Sequence, residues 1–226
     1  MRIKRGRAHE SGQDRTGSDA SKFHQTVRMW KMNKYMGFYE LKSINLPSVP
    51  WRLFTADTAP DGNLLWTVRV AVERDNDLNL PRAVGVSAGE AIRRGNELLR
   101  KYKGKGIVIY YPYFIAQKSG VLDIGPGRTV IEAVDGDLWN LVTYGRKNVT
   151  AMIDSGGRRY LGDEAFLSPE ETDELLKYGA VIRGRYRDIL NEGGSVLAEW
   201  SYAYDTDTGR RPTGERYLVF YELRRV

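Results

Sequence analysis

Two glutamates and an arginine near the end of the chain, Glu199, Glu222 and Arg224, have the types and spacing to hold a divalent cation against phosphates. Successive side chains of an extended strand point to opposite faces. In the run from Leu197 to Tyr202, Glu199 therefore shares a face with Leu197 and Ser201, while Val196, Ala198, Trp200 and Tyr202 take the other. In the run from Tyr217 to Arg224, Glu222 and Arg224 are two apart and share a face. If these strands pair antiparallel, Glu199 comes near Glu222. Two carboxylates flanked by apolar residues repel and raise each other's pKa, and a cation such as Mg²⁺ between them resolves the conflict. Arg224 beside them is then placed to grip a phosphate bidentately. The same pattern also describes a solvated glutamate and a surface ion pair with Arg224.

The elements that must position these residues are legible upstream. From Leu64 to Val72 the chain alternates, with Leu64, Trp66, Val68, Val70 and Val72 on one face. This predicts a strand packed on a helix, with Arg69 projecting from the opposite face toward a ligand or toward water. Ser87 with Glu90 has the form of a capping box, and Ala91, Ile92, Leu98, Leu99 and Tyr102 form a helical stripe that ends near Tyr102. Gly104 to Gly106 is a break, and Ile107 to Ile115 reads as a buried strand interrupted by Pro112. The turn Gly125-Pro126-Gly127 joins two short strands, Val121 to Ile124 and Thr129 to Val134. Ser168-Pro169-Glu170-Glu171 starts a helix, since it offers an N-cap, proline at the first position and acids at the positive end. That helix runs to about Leu190, Gly193-Gly194 ends it, and the two closing strands follow with a loop from Asp205 to Gly214. The alternation predicts an α+β fold with mostly antiparallel sheets, a polar leader over 1–33, and subdomains over 34–106 and 107–226.

Bulk properties narrow the chemistry. The chain has 226 residues, of which 41% are hydrophobic, enough to bury a core. It has no cysteine, and its two histidines, His9 and His24, lie in the leader, which reads as a flexible basic segment. Disulfides, thiolate metal sites and cysteine nucleophiles are thereby excluded. The net charge of +6 suits an anionic partner. No apolar run approaches the about 18 residues of a membrane span, and no apolar h-region follows the basic N-terminus, so a cytoplasmic location is expected. Nucleic acid remains an alternative partner through the basic leader and aromatics such as Trp30 and Tyr102.

A resemblance runs through the chain after the leader. The stretch LSPEETDELLKYG, the run LAEWS around Glu199 and the run LVFYELRRV around Glu222 resemble the end of the nucleotide-binding domain of phosphoenolpyruvate synthase and pyruvate phosphate dikinase. There, a helix beginning near L-x-x-E-E precedes D-I-E-W-A and L-Y-x-L-Q-x-R-P strands. IVIYYPYFIAQKSGVLDI is similar to the family's V-x-V-Q-x-M-V…S-G-V-x-F pair, and IEAVDGDLWNLVTYG to its G-L-G-E-x-V-x-G stretch. Upstream, LWTVRVAVERDND resembles V-R-S-S-A-x-E-D, and KYMGFYELKSINLPSVPWRLFT resembles G-K-G-A-N-L-x-E-M…G-L-P-V-P-x-G-F. The matches fall in the family's order.

The resemblance implies an ATP-grasp fold, in which two α+β subdomains hold ATP between them, with Mg²⁺ and ATP as cofactors. It assigns Lys34 and Arg69 to the phosphates, Glu199 and Glu222 to Mg²⁺, Arg224 to the arginine of the last motif, and backbone groups around Tyr110, Tyr111 and Tyr113 to the adenine. The chain departs from the pattern in three places. Val70-Ala71-Val72 replaces Ser-Ser-Ala, Glu222 replaces a glutamine, and Asn33-Lys34-Tyr35 replaces the glycine-rich lysine loop. The family's phosphohistidine domain and enolpyruvate-binding barrel have no counterpart in these residues. The expected activity is thus phosphoryl transfer or ligation with a partner chain or another acceptor. A non-catalytic nucleotide-binding regulatory module is the alternative.

Overall fold

The computed structural model describes residues 34–73 and 80–226. The leader over 1–33 lies outside the described residues. The architecture is α+β, with two antiparallel sheets and helices on their outer faces. Helix α1 (Lys34–Ser43) leads to a short strand β1 (Arg52–Leu53), then β2 (Trp66–Val72), β3 (Arg82–Val86), helix α2 (Ala88–Lys101) and β4 (Gly106–Pro112). These strands form a four-stranded sheet in the order β1-β4-β2-β3. The chain then supplies β5 (Phe114–Gly125), β6 (Arg128–Asp135), a short helix α3 (Trp139–Val142), β7 (Val149–Asp154), β8 (Gly157–Gly162), helices α4 (Pro169–Arg185) and α5 (Arg187–Asn191), β9 (Val196–Thr206) and β10 (Pro212–Arg225). Its second sheet has the order β10-β9-β5-β6-β7-β8.

The alternation of β2 translates directly into packing. Trp66, Val68, Val70 and Val72 form one core with Ala91 and Leu98 of α2. The opposite face is not solvated, however. Thr67, Arg69 and Ala71 are buried too, because the second sheet lies against that side. Ser87 caps α2 by accepting a hydrogen bond from the Glu90 N–H. Only this half of the expected box forms, since the Glu90 carboxylate accepts from Arg93 and Arg94 instead.

Pro112 does more than interrupt a strand. Lacking an N–H, it ends β4, and after Tyr113 the chain enters the other sheet as β5. The break at Gly104 to Gly106 therefore separates a helix from a strand of the same sheet. The β5–β6 hairpin closes with Gly125 opposite Arg128, so Pro126 and Gly127 occupy the turn, where Gly127 has φ 72. Proline followed by a positive-φ glycine is the signature of a type II turn.

The second sheet buries its outer face under α4 and α5, where Leu122, Ile124, Ile131, Ala198, Trp200, Phe220 and Leu223 pack with Leu175, Ile182 and Leu190. Helix α4 begins with a complete capping box between Ser168 and Glu171. The Glu171 carboxylate also accepts from Lys118 of β5 at 2.7 Å and pairs with Arg216 of β10 at 2.7 Å. One side chain thus fixes the helix start to two strands. The sheets meet through a third core containing Phe38, Trp51, Ile109, Tyr111, Val219 and Tyr221. Helix α1 packs along β10, and the following segment pairs with it through the Val49 N–H to the Phe220 carbonyl and the Phe220 N–H to the Pro47 carbonyl. The closing hairpin is tighter than expected. Thr206 pairs with Pro212, because the Asp207 side chain accepts from the Arg211 backbone N–H and shapes a short turn.

Two outcomes follow for stability. A Cβ at Gly120 would lie 2.1 Å from the Glu132 carbonyl oxygen and 2.4 Å from the Trp200 ring. Gly120→Ala should therefore lower the urea-unfolding free energy by about 1–3 kcal/mol, the usual cost of overpacking. Burial raises the pKa of Glu171, but Lys118, the Ser168 N–H and Arg216 outweigh it and hold the carboxyl below its ordinary 4.5. A depressed folded-state pKa gives stability that is complete above the unfolded value and is lost as the pH falls through the folded one. Glu171→Gln should accordingly be less stable at neutral pH, with the gap to the unsubstituted protein narrowing below pH 4.5 in denaturation series.

Candidate functional site

The closing strands pair antiparallel, with Glu199 directly opposite Glu222 and Leu197 opposite Arg224. A register shift between Phe220 and Glu222 makes this possible. Leu218 and Phe220 point into the helix-covered core, and strict alternation would send Glu222 after them. The bulge inserts one residue, so that Tyr221 and Glu222 both face the cleft while Leu223 returns to the core.

The face they reach lines a cavity of about 540 Å³ between the two sheets. The first sheet contributes Thr67 and Arg69 of β2, Arg82 and Val84 of β3, and Tyr111 of β4. The second contributes Ser119, Glu199, Ser201, Tyr221, Glu222 and Arg224. Arg69 reaches across to Glu222, with Nη2 3.1 Å from Oε2. Both residues are buried, at 9% and 2% exposure. Burial works against the charge on Arg69, but the Tyr111 phenol and the Glu222 and Glu199 carboxylates outweigh it and hold the guanidinium pKa above its ordinary value. Burial, and then the field of Glu199, push the Tyr221 phenol well above its ordinary 10.0. That phenol stays protonated and donates at 3.4 Å to the Trp200 carbonyl, while Ser201 donates to it. Arg224 is partly buried, and its Nε has no hydrogen-bond partner among the described residues.

The sequence-derived residues thus separate into groups. Arg69, Glu199, Glu222 and Arg224 converge on one cavity. Tyr111 and Tyr113 line its wall, whereas Tyr110 turns to the other face of β4 and packs on Phe54 and Trp66. The Tyr113 backbone is engaged within the protein, since its N–H donates to the Leu65 carbonyl and its carbonyl accepts from Thr206. What it offers the cleft is its ring, set against Gly85 and under the Arg210 guanidinium. Lys34 opens α1, but its side chain lies outside the described residues.

Several lining residues were not singled out from sequence. Thr67 and Ser201 share strand faces with Arg69 and Glu199, so two-residue spacing could have found them. Tyr221 could not be found this way, because the bulge breaks the alternation. Arg82 and Trp139 belong to short elements without a periodic signature. Among the described residues, no group of three or more histidine or acidic side chains is arranged to cage a metal. No helix among them is long and apolar enough to cross a membrane.

No family model and no curated protein matches the sequence. Among solved structures, the chain is similar to the dinucleotide-forming acetyl-coenzyme A synthetase 1 of Korarchaeum cryptofilum in complex with coenzyme A and Ca-AMPCP. The TM-score is 0.47 at 10% identity, over 87% of this chain and 93% of that one. It is similar also to the carboxyaminoimidazole ribonucleotide synthase of Aspergillus clavatus complexed with ATP, with TM-score 0.43 and 11% identity over 85% of this chain and 44% of that one. A third is the L-amino acid ligase of Bacillus licheniformis, with TM-score 0.40 and 15% identity over 85% of this chain and 42% of that one. The chain spans less than half the length of the second and third of these.

Breaking a buried ion pair by removing one member costs about 3–5 kcal/mol. Arg69→Met and Glu222→Leu should each show that order of loss in urea denaturation. The double substitution should recover part of it, since the two charges of the pair are then removed together.

Proposed function

We propose that this chain binds ATP with Mg²⁺ in the cleft between its sheets, as an ATP-grasp domain does, and uses it for phosphoryl transfer or ligation. The observation that carries the reading is the placement of Glu199 and Glu222 as direct cross-strand partners facing a cavity that also holds Arg69 and Arg224. Two carboxylates fit Mg²⁺, which is usually held by one or two carboxylates and completes its shell with phosphate oxygens and water. The ion, when bound, would neutralise charge on the phosphates and so favour transfer of the terminal group.

The chain's own residues supply the rest. Arg224 presents a buried Nε with no hydrogen-bond partner among the described residues and a guanidinium suited to a phosphate. Arg69 already neutralises Glu222, and a triphosphate in the cleft offers Arg69 a second anion while Glu222 turns to the metal. The Tyr111 and Tyr113 side chains provide an aromatic wall for the adenine. Lys34 is assigned to the phosphates by its place in the phosphoenolpyruvate synthase pattern. Both histidines precede residue 34, so no histidine of the sheets takes the phosphoryl group in this reading, and a partner in trans or a small molecule is the acceptor to screen. A second reading, nucleotide binding without transfer, is favoured by the buried Arg69–Glu222 pair, since an arginine committed to a protein carboxylate has less to give a moving phosphoryl group. Release of ADP or AMP in an acceptor screen separates the two.

Calorimetric titration with ATP should show saturable binding that needs Mg²⁺. Glu199→Ala or Glu222→Ala should weaken it at least about tenfold, equivalent to about 1.4 kcal/mol. Unchanged titrations in both variants would sink the site.

A further inference from the structure

Arg82 and Trp139 close the flank of the same cavity, and the reading above gives them no role. Arg82 lies directly opposite Arg69 on the neighbouring strand. Like charges in that position repel, and among the described residues only Arg69 has a carboxylate to offset it. Among the described residues no acid pairs with Arg82. Its guanidinium rests over the Trp139 ring, 4.6 Å from the centroid, and so reaches from one sheet to the α3 segment of the other. The backbone that carries the indole is tied down, because the Asp137 carboxylate accepts from the Trp139 backbone N–H and Asn140 donates to the Asp135 carbonyl. Around this contact the rim is apolar and open, with Val84 at 41%, Trp139 at 40% and Val142 at 54% exposure. Apolar side chains exposed together on a cavity rim are the mark of a surface that a ligand covers.

We propose that Arg82 and Trp139 form a second ligand-binding station, distinct from the nucleotide site, that takes a small aromatic anion. The ligand's ring stacks on Trp139 where the guanidinium now sits, and Arg82 turns outward to meet the ligand's anionic group. Arginine suits this role because its flat guanidinium both stacks on aromatic rings and grips anions. The proposal does not depend on ATP binding, since it uses none of the residues assigned to the phosphates or the metal.

The test is calorimetric titration of the full chain without nucleotide, using naphthalene-2-sulfonate as the aromatic anion, 2-naphthol as its neutral counterpart and cyclohexanesulfonate as the non-aromatic anion. The expected result is saturable binding of naphthalene-2-sulfonate, at least fivefold tighter than either control. Arg82→Gln should weaken the sulfonate at least fivefold and leave 2-naphthol unchanged, whereas Trp139→Ala should weaken both. Both positions are exposed, and circular dichroism checks that each variant is folded. Absence of binding, or equal affinity in Arg82→Gln and the unsubstituted protein, would overturn the assignment. So would displacement of the probe by Mg²⁺ and ATP, because the station would then be part of the nucleotide site. Simultaneous binding of both supports two stations. If ATP fails to bind while the probe and variant pattern holds, the nucleotide reading falls and this one stands.

Discussion

The ion pair between Arg69 and Glu222 is where the two sheets are joined by charge rather than by apolar contact. Beside it, Phe38, Ile109, Val219 and Tyr221 hold the sheets together in the ordinary way. At Arg69 the packing gives way to a cavity, and a buried charge there is tolerable only with a partner from the opposite wall. The pair links one wall to the other, so the spacing of the walls is tied to the reach of one guanidinium.

Positioning that pair takes two departures from regular structure. Proline at 112 ends a strand of the first sheet and lets the chain cross to the second, which puts Tyr111 and Tyr113 on the wall between them. The bulge before Glu222 turns its carboxylate out of the apolar core and into the cleft, opposite Glu199. Without that extra residue the carboxylate would follow Leu218 and Phe220 into the helix-covered core at a large desolvation cost. Glu171 shows how the outer layer is secured. Its carboxylate caps α4 and binds Lys118 and Arg216, so the helix that covers the second sheet cannot slide along it without breaking an ion pair.

The charge pattern of the cleft is mixed. Arg69 and Arg224 face the same cavity as Glu199 and Glu222, so neither a bare polyanion nor a bare cation is matched. The proposed ligand, a polyanion that carries its own divalent ion, would meet both sets of charges. The hydroxyls of Ser119 and Ser201, 2.8 Å apart, also line the cavity and add hydrogen-bonding groups to it.

Much of this was readable from local pattern. The two-residue period placed Glu199 opposite in face to Trp200, and Glu222 together with Arg224, because side-chain direction in a strand depends only on position parity. The Ser168 cap, the Pro126-Gly127 turn and the apolar face of β2 were equally legible, since each rests on a few adjacent residues. Arg69 was placed on the correct face but not with its partner, which lies 153 residues away. The sequence by itself determined which side chains lie on which face of which element. Only the tertiary structure decided that Glu222 keeps its cleft face through a bulge, that the chain changes sheets at Pro112, and that Arg82 meets Trp139. Those outcomes depend on pairing and packing between distant segments, and the registers of a hydrogen-bonded ladder and a filled core are properties of the assembled chain, not of any stretch within it.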